Sequence, residues 1–480
     1  MCRANSGRGS SSRPQLDKKR TWALAARTDL KAIYELLADN HPGPVDDLNP
    51  AFKWWHDEGL RQALDLARRE VNSAAGYYFN LRFYVSGFRD THLNLSSNLI
   101  LKPKWPGFVV ALRNGKFVVC SRRSARRIER IVAPGETFSP REWLLRNVFP
   151  YAGNPELEAS WVEFSPWLLV DLGNPWTKRP TAVLYDGNRR PTPLRWRSIP
   201  ISTLNDLIED AQFGPRPPFA LREFSDNCIW ISLPTFRPTG EDRESLKQII
   251  HSLPERRDAT VIVFDVRGNR GGNSQWGSDV LRALYGDAYY EFRRQTLQRL
   301  GTYVEWRASR QNHQYINRRA QELEREFGRG SPIVRMMRTV DRKIQRAVER
   351  GKVLCQHRDS RSVAALGRRP VNPVKDRVFL LTDGRCGSSC LDFADELFAM
   401  QTVKHVGFPT NADSNYAEVR SEVLPSSISR LTFAMKVYRH RVRPANTPYL
   451  VQHRWSGEIA DTEALEQWIL KLARRRKPSR

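Results

Sequence analysis

"ATVIVFDVRGNRGGNS", residues 259–274, decides the fold. An unbroken apolar run, Val261 to Phe264, meets Asp265 and then a turn containing Gly268, Gly271 and Gly272. Continuous apolarity bounded by turn residues is the mark of a strand buried on both faces of a parallel sheet. Glycine in such a turn permits φ > 0 and lets the backbone come close to a ligand with its N–H groups exposed. The spacing G-x-x-G-G is not the dinucleotide fingerprint, and no Lys-Ser/Thr follows to make a Walker A loop. Structurally this is a tight strand-to-helix turn; chemically it offers backbone donors for an oxyanion.

Working outward, "NCIWISL" (227–233) reads as a strand and "EDRESLKQIIHSL" (241–253) as a helix with Leu246, Ile249, Ile250 and Leu253 on one face. With the glycine turn and the helix "SQWGSDVLRALYG" they make a βαβ unit. The same strand–turn–helix order returns at "DRVFLLTDGRCGSSCLDFADELFAM" (376–400), where Leu391, Ala394, Leu397 and Phe398 start a helix at Ser388 and Ser389. A serine there caps a helix. It also sees the positive end of the helix dipole, beside a backbone N–H able to stabilise a developing oxyanion. Both turns lie at the carboxyl ends of strands, where open α/β sheets place their sites.

The rest of the 480 residues divides by pattern. Residues 1–20 are a basic, Ser/Gly-rich tail of disordered type. Residues 21–97 show helical periodicity, with Leu30, Ile33, Leu36 and Leu37 on one face, a break at "HPGP", and a β-like stretch from "LRFYVSGFRDTHLNL". Residues 98–222 form a Pro- and Trp-rich, β-rich domain; 223–286 are the first half of the α/β core; 287–372 read as an Arg-rich helical insertion; 373–480 complete the core and end in a basic tail.

With 40% hydrophobic residues and 14 Trp, the chain can bury a large core. A net charge of +26 raises nucleic-acid binding. The arginines are scattered along helices, however, without a zinc-finger, RNA-recognition or helix-turn-helix pattern, so no specific nucleic-acid partner is expected. The six cysteines are too sparse for a disulfide framework, and Cys386-x3-Cys390 lacks a second ligand pair for zinc. "TWALAA" is too short for a signal-peptide core, and no stretch approaches the ~20 apolar residues of a membrane span. A cytoplasmic location is the expectation, with export open if translation starts upstream.

"VIVFDVRGNRGG" followed by "VFLLTDGRCGSSCLDFADEL" resembles the tail-specific, C-terminal-processing serine peptidases, including the tricorn core. The first motif is matched by Asp265, Arg267, Asn269, Gly271 and Gly272, and the second by Ser388-Ser389-Cys390-Leu391, with Leu391 in place of the family's Glu. The resemblance implies an α/β, ClpP/crotonase-like parallel-sheet core and a protein or peptide substrate; the PDZ module common in the family has at most a degenerate counterpart in 98–222, which shows no clean carboxylate-binding loop. It assigns Ser388 as nucleophile, with an oxyanion hole from Ser389 and Gly271 or Gly272. No metal or organic cofactor is called for.

Where many members carry a Lys base about 25 residues after the nucleophile, this chain has Asp413, in "GFPTNADSNYAE". The tricorn-like branch takes its base from an upstream His instead, which Thr91-His92 in "FRDTHLNL" supplies; an imidazole titrates near neutrality and suits the task. Asp413 is the preferred carboxylate to hold the other ring nitrogen, followed by Asp90 and Glu418. The reading is a serine endopeptidase with a His base. The alternative is an inactive binding protein for peptides or apolar ligands on the same fold. Oligomeric state is not legible.

Overall fold

The computed structural model describes residues 18–99, 101–120, 126–298, 301–358, 370–374 and 377–474. Its centre is a six-stranded sheet in the order Ala220–Ser225, Cys228–Ser232, Val261–Asp265, Arg377–Asp383, Val403–Phe408, His453–Arg454. The first pair is antiparallel and every later pair is parallel. Val261–Asp265 and Cys228–Ser232 are buried at every position, as a strand covered by helices on both faces must be. One face packs Ile262, Phe264 and Leu380 against the helices Glu241–Ser252, Ser274–Tyr285 and Ser389–Met400. The other packs Val263, Phe379 and Leu381 against Leu465 and Ile469 of the helix Thr462–Arg474. Phe264 is fully buried, so truncating it to Ala is expected to cost about 3–5 kcal/mol.

Parallel pairing of Val261–Asp265 with Arg377–Asp383 (Phe264 opposite Leu380, Asp265 opposite Leu381) brings two strand ends to one edge of the sheet. The glycine turn and the serine turn therefore emerge side by side, although more than a hundred residues separate them.

A second sheet, Asn94–Ser97, Ser429–Arg439, Tyr303–Arg307, Leu354–His357 in that order with Tyr416–Val423 also on Ser429–Arg439, is antiparallel. Three helices, Lys18–Asn40, Pro50–Arg69 and Ala74–Ser86, pack Leu30, Tyr77, Leu81 and Tyr84 against its Leu431 and Phe433. The β-like reading of the stretch from Leu81 is corrected: the helix runs on to Ser86. Its aromatic and β-branched residues are weak helix formers, but Tyr77, Leu81, Tyr84 and Val85 fall at helical spacing on a buried face, behind the N-cap Ser73. Strand begins only at Asn94.

The stretch 287–372 also differs from a purely helical insertion. Its helices Arg310–Phe327 and Pro332–Glu349 are flanked by Tyr303–Arg307 and Leu354–His357, which pair with each other and join the second sheet. The third β region, within 98–222, carries Val109–Arg113, Lys116–Cys120, Arg126–Ala133 and Ala182–Tyr185 with its own core around Val110, Ile131, Trp143 and Leu168. The helices Glu158–Phe164 and Ile201–Phe213 belong to the same region and reach the site.

Candidate active site

Ser388 precedes the helix Ser389–Met400 with φ 52° and ψ −125°, a left-handed conformation that a non-glycine residue rarely adopts. Strain of this kind, on the order of 1–3 kcal/mol, persists only where surrounding contacts impose it. Here they are visible. The Ser388 N–H donates to Asp413 Oδ2, Cys390 N–H donates to Gly387 O at 3.0 Å, and a disulfide joins Cys386 to Cys390 across the turn. The sequence reading weighed this C-x3-C pair only as a zinc site and did not foresee the bridge. The pair staples one turn, with Cα atoms 5.2 Å apart, rather than forming a framework of distant loops.

The two adjacent serines have different fates. Ser388 is half-buried and lines a cleft of about 450 Å³. Ser389 is buried, and its hydroxyl donates to Gly272 O at 2.6 Å while accepting from Ser274 Oγ at 3.2 Å. Ser389 thus ties the serine turn to the glycine turn. Of the two, Ser388 lines the cleft and Ser389 does not.

His92 lies in the turn before the strand Asn94–Ser97, and its Nε2 is 3.3 Å from Ser388 Oγ. Asp90 Oδ1 accepts the His92 backbone N–H at 3.0 Å, an Asx turn, and also the Ser414 hydroxyl. Asp90 Oδ2 is 3.1 Å from His41 Nε2. Because His41 Nδ1 accepts from Gly43 N–H at 2.9 Å, the His41 proton sits on Nε2 and points at Asp90. Burial opposes charge on Asp90, but the His41 hydrogen bond, the two imidazoles His41 and His92, and Ser414 outweigh it and hold its carboxyl below the usual range. A buried carboxylate thus anchors the backbone under the His92 ring. Asp90-Thr91-His92 was legible in the sequence, as an Asp two residues before the candidate His; His41, 49 positions upstream of Asp90, was not.

Asp413 is not placed as the sequence reading had it. Its Oδ2 takes the Ser388 N–H and its Oδ1 lies 3.5 Å from Thr91 Oγ1, while His92 Nδ1 is buried with no hydrogen-bond partner among the described residues. The carboxylate grips the backbone of the serine turn, not the imidazole. Glu418 is drawn to Lys436, 3.4 Å from its Nζ.

The glycine turn is held by Asn269, whose Nδ2 donates to Leu233 O at 2.8 Å and whose Oδ1 accepts the Gly271 N–H at 2.9 Å. Gly271 N is therefore already engaged, which removes it from the expected oxyanion donors. Gly272 N and Ser389 N donate to no protein group among the described residues. The turns are in contact: a Cβ on Gly271, at φ 93°, would lie 2.7 Å from Gly387 O and 2.8 Å from both Ser388 Cβ and Ser389 N. No cluster of His, Cys, Asp or Glu fit to hold a metal occurs among the described residues, and no described helix is long and apolar enough to cross a membrane.

With the two motifs side by side at the carboxyl ends of parallel strands, the comparisons with known proteins gain a structural meaning. A model of peptidase family S41 matches residues 227–441, which span both turns. The core of this chain is similar to peptidase family S41. It is a serine-type peptidase, and protein or peptide is its substrate class. Among solved structures, mature CPAF matches with a TM-score of 0.61 and 12% identity, over 94% of this chain and 98% of that one. Mature CPAF complexed with lactacystin matches with a TM-score of 0.63, at the same identity and coverage. At that identity the likeness speaks to the fold, which it extends well beyond 227–441. The photosystem II D1 C-terminal processing protease aligns over 92% of this chain at 10% identity with a TM-score of 0.36. No curated protein matches the chain.

Proposed function

We propose that this peptidase is an endopeptidase in which Ser388 is the nucleophile and His92 its base. The observation that carries the reading is the 3.3 Å approach of His92 Nε2 to Ser388 Oγ across 296 positions of sequence. In the reacting tautomer Nδ1 bears the proton and Nε2 is free to take the Ser388 hydroxyl proton as Oγ attacks a peptide carbonyl. The carbonyl becomes a tetrahedral oxyanion, received by Gly272 N–H and Ser389 N–H. Collapse breaks the C–N bond, and the imidazolium returns its proton to the leaving amine. Water then repeats the sequence on the acyl-enzyme with His92 as base again.

Asp413 and Asp90 are positioning residues in this scheme. Asp413 fixes the Ser388 backbone, and Asp90 fixes the His92 backbone.

A fluorophosphonate probe tests the nucleophile. Ser388→Ala is expected to abolish labelling and lower peptide cleavage by roughly 10³-fold or more, whereas Ser389→Ala retains labelling. Absence of labelling in the wild type returns the chain to the binding-protein reading. Cleavage that survives His92→Ala removes the assigned base.

A further inference from the structure

The cleft that holds Ser388 and His92 also carries five arginines. Three already face protein carboxylates: Arg89 pairs with Glu156, Arg270 with Glu163, and Arg385 with Asp383 and Glu209. The acids on the cleft wall are engaged in turn. Asp90 meets His41, Glu163 meets Arg270, and Asp413 accepts the Ser388 N–H. Two cations remain without a carboxylate among the described residues. Arg82 spends only its Nε, on Tyr151 O at 2.9 Å, and Arg237 is exposed.

Arg237 is placed by the glycine turn itself. The residue before it, Phe236, bridges Gly272 in parallel fashion, donating its N–H to Gly271 O at 3.2 Å and accepting the Asn273 N–H at 2.8 Å. A Cβ on Gly272 would stand 2.7 Å from Arg237 Cγ. The Arg237 side chain therefore starts beside the glycine turn. An extended peptide advances about 3.3–3.6 Å per residue, so a carboxylate within about two residues of the scissile carbonyl lies in its reach. A net charge of +26 adds a field of the same sign.

We propose that Arg237, assisted by Arg82, is a specificity determinant that selects peptides carrying a carboxylate within about two residues of the cleaved bond. The inference rests on the Ser388 reading for the position of that bond. The carboxylate has two sources, an Asp or Glu side chain or the free C-terminus of a substrate cut near its end. Both offer two oxygens to the guanidinium fork.

The test uses matched peptides on the full chain. One arm places Glu or Gln at each of the two positions on either side of the cleaved bond; the other compares a free C-terminus with its amide. A charge-assisted hydrogen bond supports a preference of roughly 10- to 100-fold in kcat/KM. The arm that shows it names the source. Arg237→Gln is expected to bring the acid-to-amide ratio close to one, and Arg237→Lys to restore part of it; the ratio stays readable even if either variant is less active. Binding of the same labelled peptides to Ser388→Ala, by fluorescence polarisation, gives a readout that does not depend on catalysis and separates failure of this inference from failure of the Ser388 assignment. Acid and amide peptides cleaved and bound alike by the wild-type cleft, no binding of either, or a preference undiminished in Arg237→Gln would each overturn it.

Discussion

Two neighbouring strands of the central sheet end in the same device. Asp265-Val266-Arg267 and Asp383-Gly384-Arg385 each fold an arginine back onto the aspartate two residues before it. The Arg backbone N–H meets Oδ1 at 3.0 Å in both, and the guanidinium meets the same carboxylate. All four side chains are buried. The remaining guanidinium contacts differ. Arg267 turns inward, to Ile459 O at 2.6 Å and Thr462 Oγ1 at 2.9 Å, and so fastens the glycine turn to the C-terminal helix of its own core. Arg385 turns outward, over the Phe213 ring at 4.0 Å and onto Glu209, both on a helix of the middle region. One clip braces a turn within its own core, and the other couples the serine turn to a separate module. The difference separates residues that matter for stability from residues that matter for activity.

The harshest way to break the pairing is to separate the turns. In Gly271→Ala the new methyl meets Gly387 O, Ser388 Cβ and Ser389 N at contacts under 3 Å, at a φ that L residues rarely adopt. Peptidase activity is expected to fall by roughly 10²-fold or more, the scale of losing an oxyanion donor, with a lower Tm; a variant of wild-type activity would show that the turns need not touch. Next come the clips themselves. Asp265→Asn leaves Arg267 buried without a carboxylate partner and is expected to cost about 3–5 kcal/mol in urea denaturation. Asp383→Asn leaves Arg385 its contact with Glu209, so the stability loss is expected to be smaller. It also loosens the Gly268 N–H held by Asp383 Oδ2 at 2.9 Å, so activity falls further than for Asp265→Asn. Equal stability and equal activity in the two variants would erase the distinction.

A third measurement uses pH. His405 lies in the strand beside Arg377–Asp383, with Nε2 2.7 Å from Thr382 Oγ1, the residue before the outward clip. Burial lowers its pKa from 6.5 to about 4, against a weaker upward pull from Leu450 O. Unfolded chains take up this proton below about 6.5 and the folded chain only near 4. The contribution of neutral His405 is therefore present above 6.5 and is lost as pH falls towards 4, by an amount on the order of 3 kcal/mol. The wild type minus His405→Asn difference in unfolding free energy, followed from pH 7.5 to 4.5, is expected to shrink with acidification. A flat difference rejects the assignment.

The comparison also shows what the sequence could carry. Both strand–turn–helix units were legible because each is local: an apolar run, a small-residue turn and a helical face within some twenty residues. The meeting of His92 with Ser388 was legible only through family likeness, since no local pattern links positions 296 apart. Asp413 was picked out by position and charge, but a sequence does not show which atom a carboxylate faces, and here it faces a backbone amide rather than a ring nitrogen. The Cys386–Cys390 bridge was hidden because C-x3-C across a turn has the same spacing as many unpaired cysteines. The helix to Ser86 was missed because its burial against Leu431 and Phe433 comes from a strand more than 300 residues away.

The smallest expected effect is the most informative about the outward clip. Glu209 is partly exposed, and its carboxylate reaches both turns: Arg385 directly, and Arg270, the residue before Gly271, at 3.8 Å. Because Arg385 keeps Asp383, Glu209→Gln removes only the peripheral member of a network, and exposure screens that pair, so the stability cost is expected to be about 1 kcal/mol or less. If the helix Ile201–Phe213 merely props the fold, kcat follows this small loss and nothing more. If Glu209 sets the spacing of the serine and glycine turns, kcat falls about five- to tenfold while KM for a peptide without carboxylates hardly moves, because the affected contacts form in the transition state. Glu209→Asp, which keeps the charge, should then recover more of kcat than of Tm. A loss confined to Tm would make the middle region a brace; a loss confined to kcat makes it part of how this peptidase holds its serine turn.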